Sequence, residues 1–134
     1  MKNKIRSIII ILVFLLISPG LWAGGGKENI DSLAGIYVGV IPAADCPGIT
    51  VTAILNTQGQ YKITYQYIDR GVEVLTFTGD FTYDAKTGII NLNSKNLPPY
   101  YKAGKNSLTQ LDMEGNVITG RLAKNYVLRK VEFT

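Results

Sequence analysis

At 134 residues the chain has room for one small domain. It carries 14 Lys+Arg, 10 Asp+Glu, no His and one Cys, which excludes a Ser-His-Asp or Cys-His nucleophile pair, a His-ligated metal site and an intramolecular disulfide. Three of the basic residues, Lys2, Lys4 and Arg6, precede the first apolar run; without them the balance is 11 against 10, so the formal charge of +4 gives nucleic-acid binding no support.

The N-terminus reads as an export signal. A basic start is followed by an unbroken apolar run over residues 8–17, then Pro19-Gly20 and a small residue, Ala23. The run is too short for a bilayer, which takes about 20 apolar residues, although an uncleaved membrane anchor that extends on to Ala23 is the alternative. Residues 1–23 are therefore expected to be a signal peptide and 24–32, polar and Gly-rich, a flexible leader. Without a Cys near Ala23, a lipid anchor is unsupported. The expected location is outside the cytoplasm, with no stable transmembrane span once the signal is removed.

From residue 33 onward apolar residues recur with period two. A first strand is expected at 35–41. Ile49, Val51, Ala53 and Leu55 then share one face, followed by Tyr61, Ile63, Tyr65 and Tyr67. Leu75, Phe77, Phe81 and Tyr83 share the next, with Thr76, Thr78, Asp80 and Thr82 opposite. Further strands are expected at 89–93, 100–103, 108–111, 117–123 and 126–132. Turn signals at Asn56-Thr57-Gln58-Gly59, Asp69-Arg70-Gly71, Asp84 to Gly88 and Asp112 to Asn116 separate them. Such half-buried antiparallel strands leave one apolar face to cover, and closing them into a barrel covers it and removes the edges. The fold expected for residues 33–134 is all-β: a small antiparallel barrel of about eight strands, with a two-sheet sandwich as the alternative. The aromatic faces suit a filled core, or the lining of a ligand cavity.

The connection between the first two strands carries the only unusual chemistry. Pro42, Asp45, Cys46, Pro47 and Gly48 lie within it. The prolines stiffen the loop, and Gly48 permits a positive φ or a close backbone approach. Cys46 is either a small buried hydrophobe or an exposed thiol, and Asp45 beside it disfavours a reactive thiolate.

These residues, as Tyr37-x-Gly39-x-x-Pro42-x-Ala44-Asp45-Cys46-x-Gly48-Ile49, resemble the N-terminal domain of the NlpE family, the copper-homeostasis and envelope-stress lipoproteins of bacteria. Asn106-Ser107-Leu108-Thr109-Gln110-Leu111-Asp112-x-x-Gly115 and the closing Tyr126-Val127-Leu128-x-Lys130 are similar to that family in the same order. The resemblance spans residues 34 to 130 and implies a lipocalin-like barrel. It also implies a non-enzymatic binding or sensing role in envelope stress or copper homeostasis, with Pro42, Asp45, Cys46, Pro47 and Gly48 as contact residues. The chain departs from the family at Ala43, where a Cys-x-x-Cys commonly begins, and in its lipid-bearing Cys and second domain. Cu(I) prefers soft ligands, and Cys46 and Met113 are the two available after the signal. The expected partners are an envelope sensor protein or a small ligand, with Cys46 offering a link between two copies. A lipocalin-type carrier of a small apolar ligand is the alternative function. It requires that Tyr65, Phe77, Phe81 and Tyr83 line a cavity.

Asp80, Asp84, Asp112 and Glu114 sit in or beside turns, where acids serve the backbone. Pro98-Pro99-Tyr100-Tyr101 reads as a loop entering a strand, and Lys95, Lys102 and Lys105 as a solvated face. Nothing supplies a nucleophile with a base, so no enzyme is expected.

Overall fold

The computed structural model describes residues 30–71 and 73–132. The expected signal peptide, residues 1–23, lies outside them, as do leader residues 24–29. Ile30, in the last part of that leader, already packs against the core.

Nine strands form one antiparallel sheet: β1 (Gly35–Ile41), β2 (Ile49–Leu55), β3 (Gln60–Tyr67), β4 (Val74–Asp80), β5 (Thr82–Asp84), β6 (Ile89–Asn91), β7 (Tyr100–Gly104), β8 (Ser107–Gln110) and β9 (Val127–Lys130). Their order across the sheet is β4-β3-β2-β1-β9-β8-β7-β6-β5. Neighbours are antiparallel throughout, so the two outermost strands, an even number of steps apart, run in the same direction. They are also consecutive in the chain, separated by Phe81 alone. β4 and β5 are thus two halves of one bent strand, the first paired with β3 and the second with β6. The sheet curls round until its opposite edges meet in that strand, giving a nearly closed barrel of eight walls.

The turns are set by residues that can bend the chain. Asn56 Oδ1 accepts from the backbone N–H groups of Gln58 and Gln60, and Gly59 takes φ 80°. Asp84 Oδ1 accepts from Lys86 N, and Asp112 Oδ1 from Glu114 N and Asn116 N. Asp84 and Asp112, two of the acids of the sequence, are therefore turn residues, and Asn56 plays the same part.

The alternating apolar positions point inward. Val51, Ala53, Ile63, Ile90, Tyr101, Leu108 and Leu128 are buried in one cluster. Gly39 lets the two halves of the sheet close on each other. A Cβ there would lie 2.8 Å from both Val127 O and Leu128 Cδ2. Tyr65 and Phe81 belong to the core, and Phe77 and Tyr83 pack against it, so these aromatics help to fill the interior. Tyr65 and Phe77 meet edge to face at 5.9 Å between centroids.

One expected strand is absent. Residues 117–123 make a single bridge, Leu111 to Val117, and then turn through Gly120 at φ 104° into a 3₁₀ turn, Ala123–Tyr126. The apolar residues of this stretch have no neighbouring strand to extend along, and Val117 and Leu122 are exposed.

Candidate functional site

The strand register brings two loops to the same end of the barrel. Ile41 pairs with Ile49, Ile49 with Tyr67, and Gln66 with Val74. Loop 42–48 and residues 68–71 therefore emerge side by side, and three contacts shape the junction.

Gly48 is central to it. Its carbonyl accepts from Ile68 N at 3.0 Å, which ties the loops through the backbone. The same carbonyl accepts from Cys46 Sγ at 3.2 Å. Gly48 is buried, and a Cβ on it would meet Val40 Cγ1 at 2.7 Å and Ile41 O at 3.3 Å. Glycine is needed here for close approach, since Gly48 is not among the positive-φ residues. Across the top of this junction Arg70 Nη2 pairs with Asp45 Oδ2; the two side chains are 52% and 63% exposed. In that setting the pair fixes loop geometry more than it adds stability, contributing at most about 1 kcal/mol. Asp69 at φ 64° and Gly71 at φ 87° turn the chain so that Arg70 faces Asp45. A hollow of about 160 Å³ between Tyr67, Arg70, Glu73 and Leu75 adjoins the loop pair.

Of the expected contact residues, Asp45 and Pro47 are exposed, Pro42 and Cys46 half-buried, and Gly48 buried as a spacer. The sequence alone did not single out Arg70, which reads as part of a turn. The signal was its charge, opposite to Asp45, combined with strand lengths that place both loops at one end.

The residues present do not fit a copper centre within one chain. Cu(I) wants two or more soft donors. The loop offers a single thiol, with Ala43 three positions before it and the Asp45 carboxylate held by Arg70. Met113 projects into solvent from a separate turn, 63% exposed. Among the described residues no three His, Cys, Asp or Glu side chains cluster so as to hold a metal ion.

The core holds a pair of tyrosine hydroxyls. The hydroxyls of Tyr65 and Tyr101 are buried and interact with each other, yet neither makes a hydrogen bond of good geometry. Burial pushes the Tyr101 phenol well above its ordinary value of 10.0, and the Tyr65 phenol beside it adds to the shift. Burial likewise raises Tyr65 and Tyr37, the latter donating to Leu33 O at 2.8 Å.

The sequence profile described as the NlpE N-terminal domain matches residues 37–121. The chain belongs to the NlpE family. It is 32% identical to the lipoprotein NlpE of Escherichia coli K12 over 96 residues, 70% of this chain and 39% of that protein. It thus spans about two-fifths of the length of that relative. Two solved structures resemble this NlpE-family barrel. One is a Shewanella oneidensis protein described as a lipoprotein, 33% identical, with a TM-score of 0.67 over 80% of this chain and 95% of that one. The other is the Cpx pathway activator NlpE of Escherichia coli, 27% identical, with a TM-score of 0.55 over 74% of this chain and 52% of that one. Among the described residues, no helix of the NlpE-family chain is long and apolar enough to cross a membrane.

Proposed function

We propose that this NlpE-family chain is an exported, non-enzymatic sensing module of the bacterial cell envelope, and that its contact surface is the barrel end formed by residues 42–48 and 68–71. The observation that carries the proposal is the junction at Gly48. One carbonyl holds Ile68 and Cys46, and Asp45 and Arg70 bridge the same two loops above it. A loop pair held this way presents the exposed Pro47 and its charges in one fixed arrangement, as a recognition surface requires. The absence of His and the engagement of the Cys46 thiol by a carbonyl support a binding role over a catalytic one. Between the two roles the family suggests, the donor set favours envelope stress over copper handling. The related E. coli protein activates the Cpx pathway.

The test is a Cpx-responsive reporter in E. coli cells lacking their own NlpE, with this chain expressed and exported. Reporter output is expected to rise with the wild-type chain and to fall for the Asp45→Arg variant at equal abundance in the envelope. An unchanged reporter with abundant, folded protein would overturn the proposal. Titration of purified protein with Cu(I) completes the test. Wild type and Cys46→Ser are expected to bind alike, and a marked loss on removing the thiol would restore the copper role.

A further inference from the structure

The bent strand that closes the barrel leaves a seam. β4 pairs with β3 along its whole length, Gln60 with Asp80 through Gln66 with Val74. Among the described residues it has no neighbour on its other side; the next wall, β6, is paired with β7 on one edge and meets the bent strand on the other only through β5. Phe81 N donates to Gly59 O, which fixes the alternation of the ladder. Residues 75, 77 and 79 then direct their backbone groups at β3, and residues 74, 76 and 78 direct theirs away from it. The pattern continues through the bend, where Thr82 and Asp84 face β6. Val74, Thr76 and Thr78 thus offer unpaired N–H and C=O groups at the open edge. Beyond Asn91 the chain leaves the line of β6, and a hollow of about 640 Å³ lies between Thr78, Gly79 and Asp80 on one side and Asn93, Ser94 and Lys95 on the other.

Exposed strand edges are usually guarded by Lys, Pro, a bulge or short length. β4 has none of these: it is seven residues long and reads Val-Leu-Thr-Phe-Thr-Gly-Asp. Its inward-facing Leu75 remains 36% exposed, and its outward-facing Val74 46% exposed.

We infer that the β4 edge is a binding site for an extended polypeptide segment, which adds as an antiparallel strand along the line of β6 and completes the barrel wall. The unpaired backbone groups require a backbone as partner. The side chains set its pattern: apolar residues at alternate positions, to lie beside Leu75 and Phe77 at the mouth of the seam, and small polar or β-branched residues between them, beside Thr76 and Thr78. A second copy of this chain fits less well. The usable edge runs for only a few residues between Val74 and the 93–96 segment, so two such edges would bury far less than the roughly 1,000 Å² of a stable interface. A single strand can thread where a second barrel cannot. None of this depends on the loop surface proposed above, and the experiment does not read signalling.

The probe is a synthetic peptide alternating leucine and threonine between terminal lysines, compared with a peptide of the same composition whose leucines are contiguous. Binding is followed by fluorescence anisotropy, and amide hydrogen exchange locates it. The alternating peptide should bind at least about tenfold more tightly and slow the exchange of the Val74, Thr76 and Thr78 amides. Thr76→Pro removes an N–H that β3 does not use and should weaken binding by about tenfold or more. If that variant fails to fold, the protection pattern in the wild type decides. Equal binding of the two peptides, no binding at all, unchanged affinity in a folded Thr76→Pro, or protection confined to other strands would each overturn the inference. A dimer in sedimentation that the peptide dissociates would assign the edge to a second copy and overturn it as well.

Discussion

β2 and β4 make an instructive pair. Both are seven residues long, both alternate apolar with Thr-rich positions, and both pair with β3 along their length. β2 has β1 on its other side and buries Val51, Ala53 and Leu55; no residue of β4 is buried. The pattern that marks a residue as inward-facing is the same in both. The presence of a second neighbouring strand decides whether that residue is removed from water. Stability in this barrel should follow the doubly flanked walls, and adaptability the seam.

The largest test of that contrast is a matched truncation. Ile63→Ala, in the doubly flanked β3, should cost about 2–5 kcal/mol in urea unfolding, whereas Leu75→Ala at the seam should cost under about 1 kcal/mol. Similar losses at both would mean the seam is packed as firmly as the core. Next is the junction between the loops. Gly48→Ala puts a methyl group within 2.7 Å of Val40 and close to the Ile41 carbonyl, and should lower stability by about 1–3 kcal/mol. Slower proteolysis of loop 42–48 in that variant would contradict the proposed packing.

Tyr101→Phe tests the core from the opposite direction. Its hydroxyl has no good partner, so removing it should be neutral or stabilise by up to about 1 kcal/mol; a loss above that range would reveal a hydrogen bond that matters. The same burial has a consequence for pH. Tyr37, Tyr65 and Tyr101 have raised values in the folded state, whereas their unfolded counterparts lose protons near 10.0. Their contribution is fully present below that pH and declines as the pH climbs through it toward the folded values. Alkaline unfolding curves should show stability falling from about pH 10 upward, less steeply in Tyr101→Phe. The smallest effect is expected at the surface. Asp45→Asn should change stability by less than about 1 kcal/mol, and less still in high salt, because the pair with Arg70 is exposed.

Much of this fold was legible in the sequence, because period-two alternation with Asn, Asp and Gly between the runs specifies strands and hairpins locally. A barrel of about eight strands followed from it, whereas the aromatic faces suited a filled core or a ligand cavity equally, and their packing was settled only by the closure of the sheet. The exception, residues 117–123, alternates as a strand does but lacks a partner beyond one bridge, and partners are decided by the rest of the chain. The seam was hidden for a related reason. Leu75, Phe77, Phe81 and Tyr83 read as one face of one strand, and so they are; that the strand changes neighbours at Phe81 is a property of closure. At the loops, the sequence marked Pro42, Asp45, Cys46, Pro47 and Gly48 by composition. Arg70 and Ile68, which complete the junction, needed the register of β2 and β3 to bring them there.

The position of β1 bears on how the molecule comes into being. Its outer neighbour is β9, through Tyr37 with Lys130 and Val38 with Arg129. A chain made from its N-terminus therefore holds β1 with one bare edge until its final strand arrives. Up to that moment the molecule is an open meander with two sticky margins, and sealing it depends on a contact between the extremes of the domain, the slowest kind to form. Loss of a few residues at the β9 end would leave a molecule that never seals, with its hairpins intact.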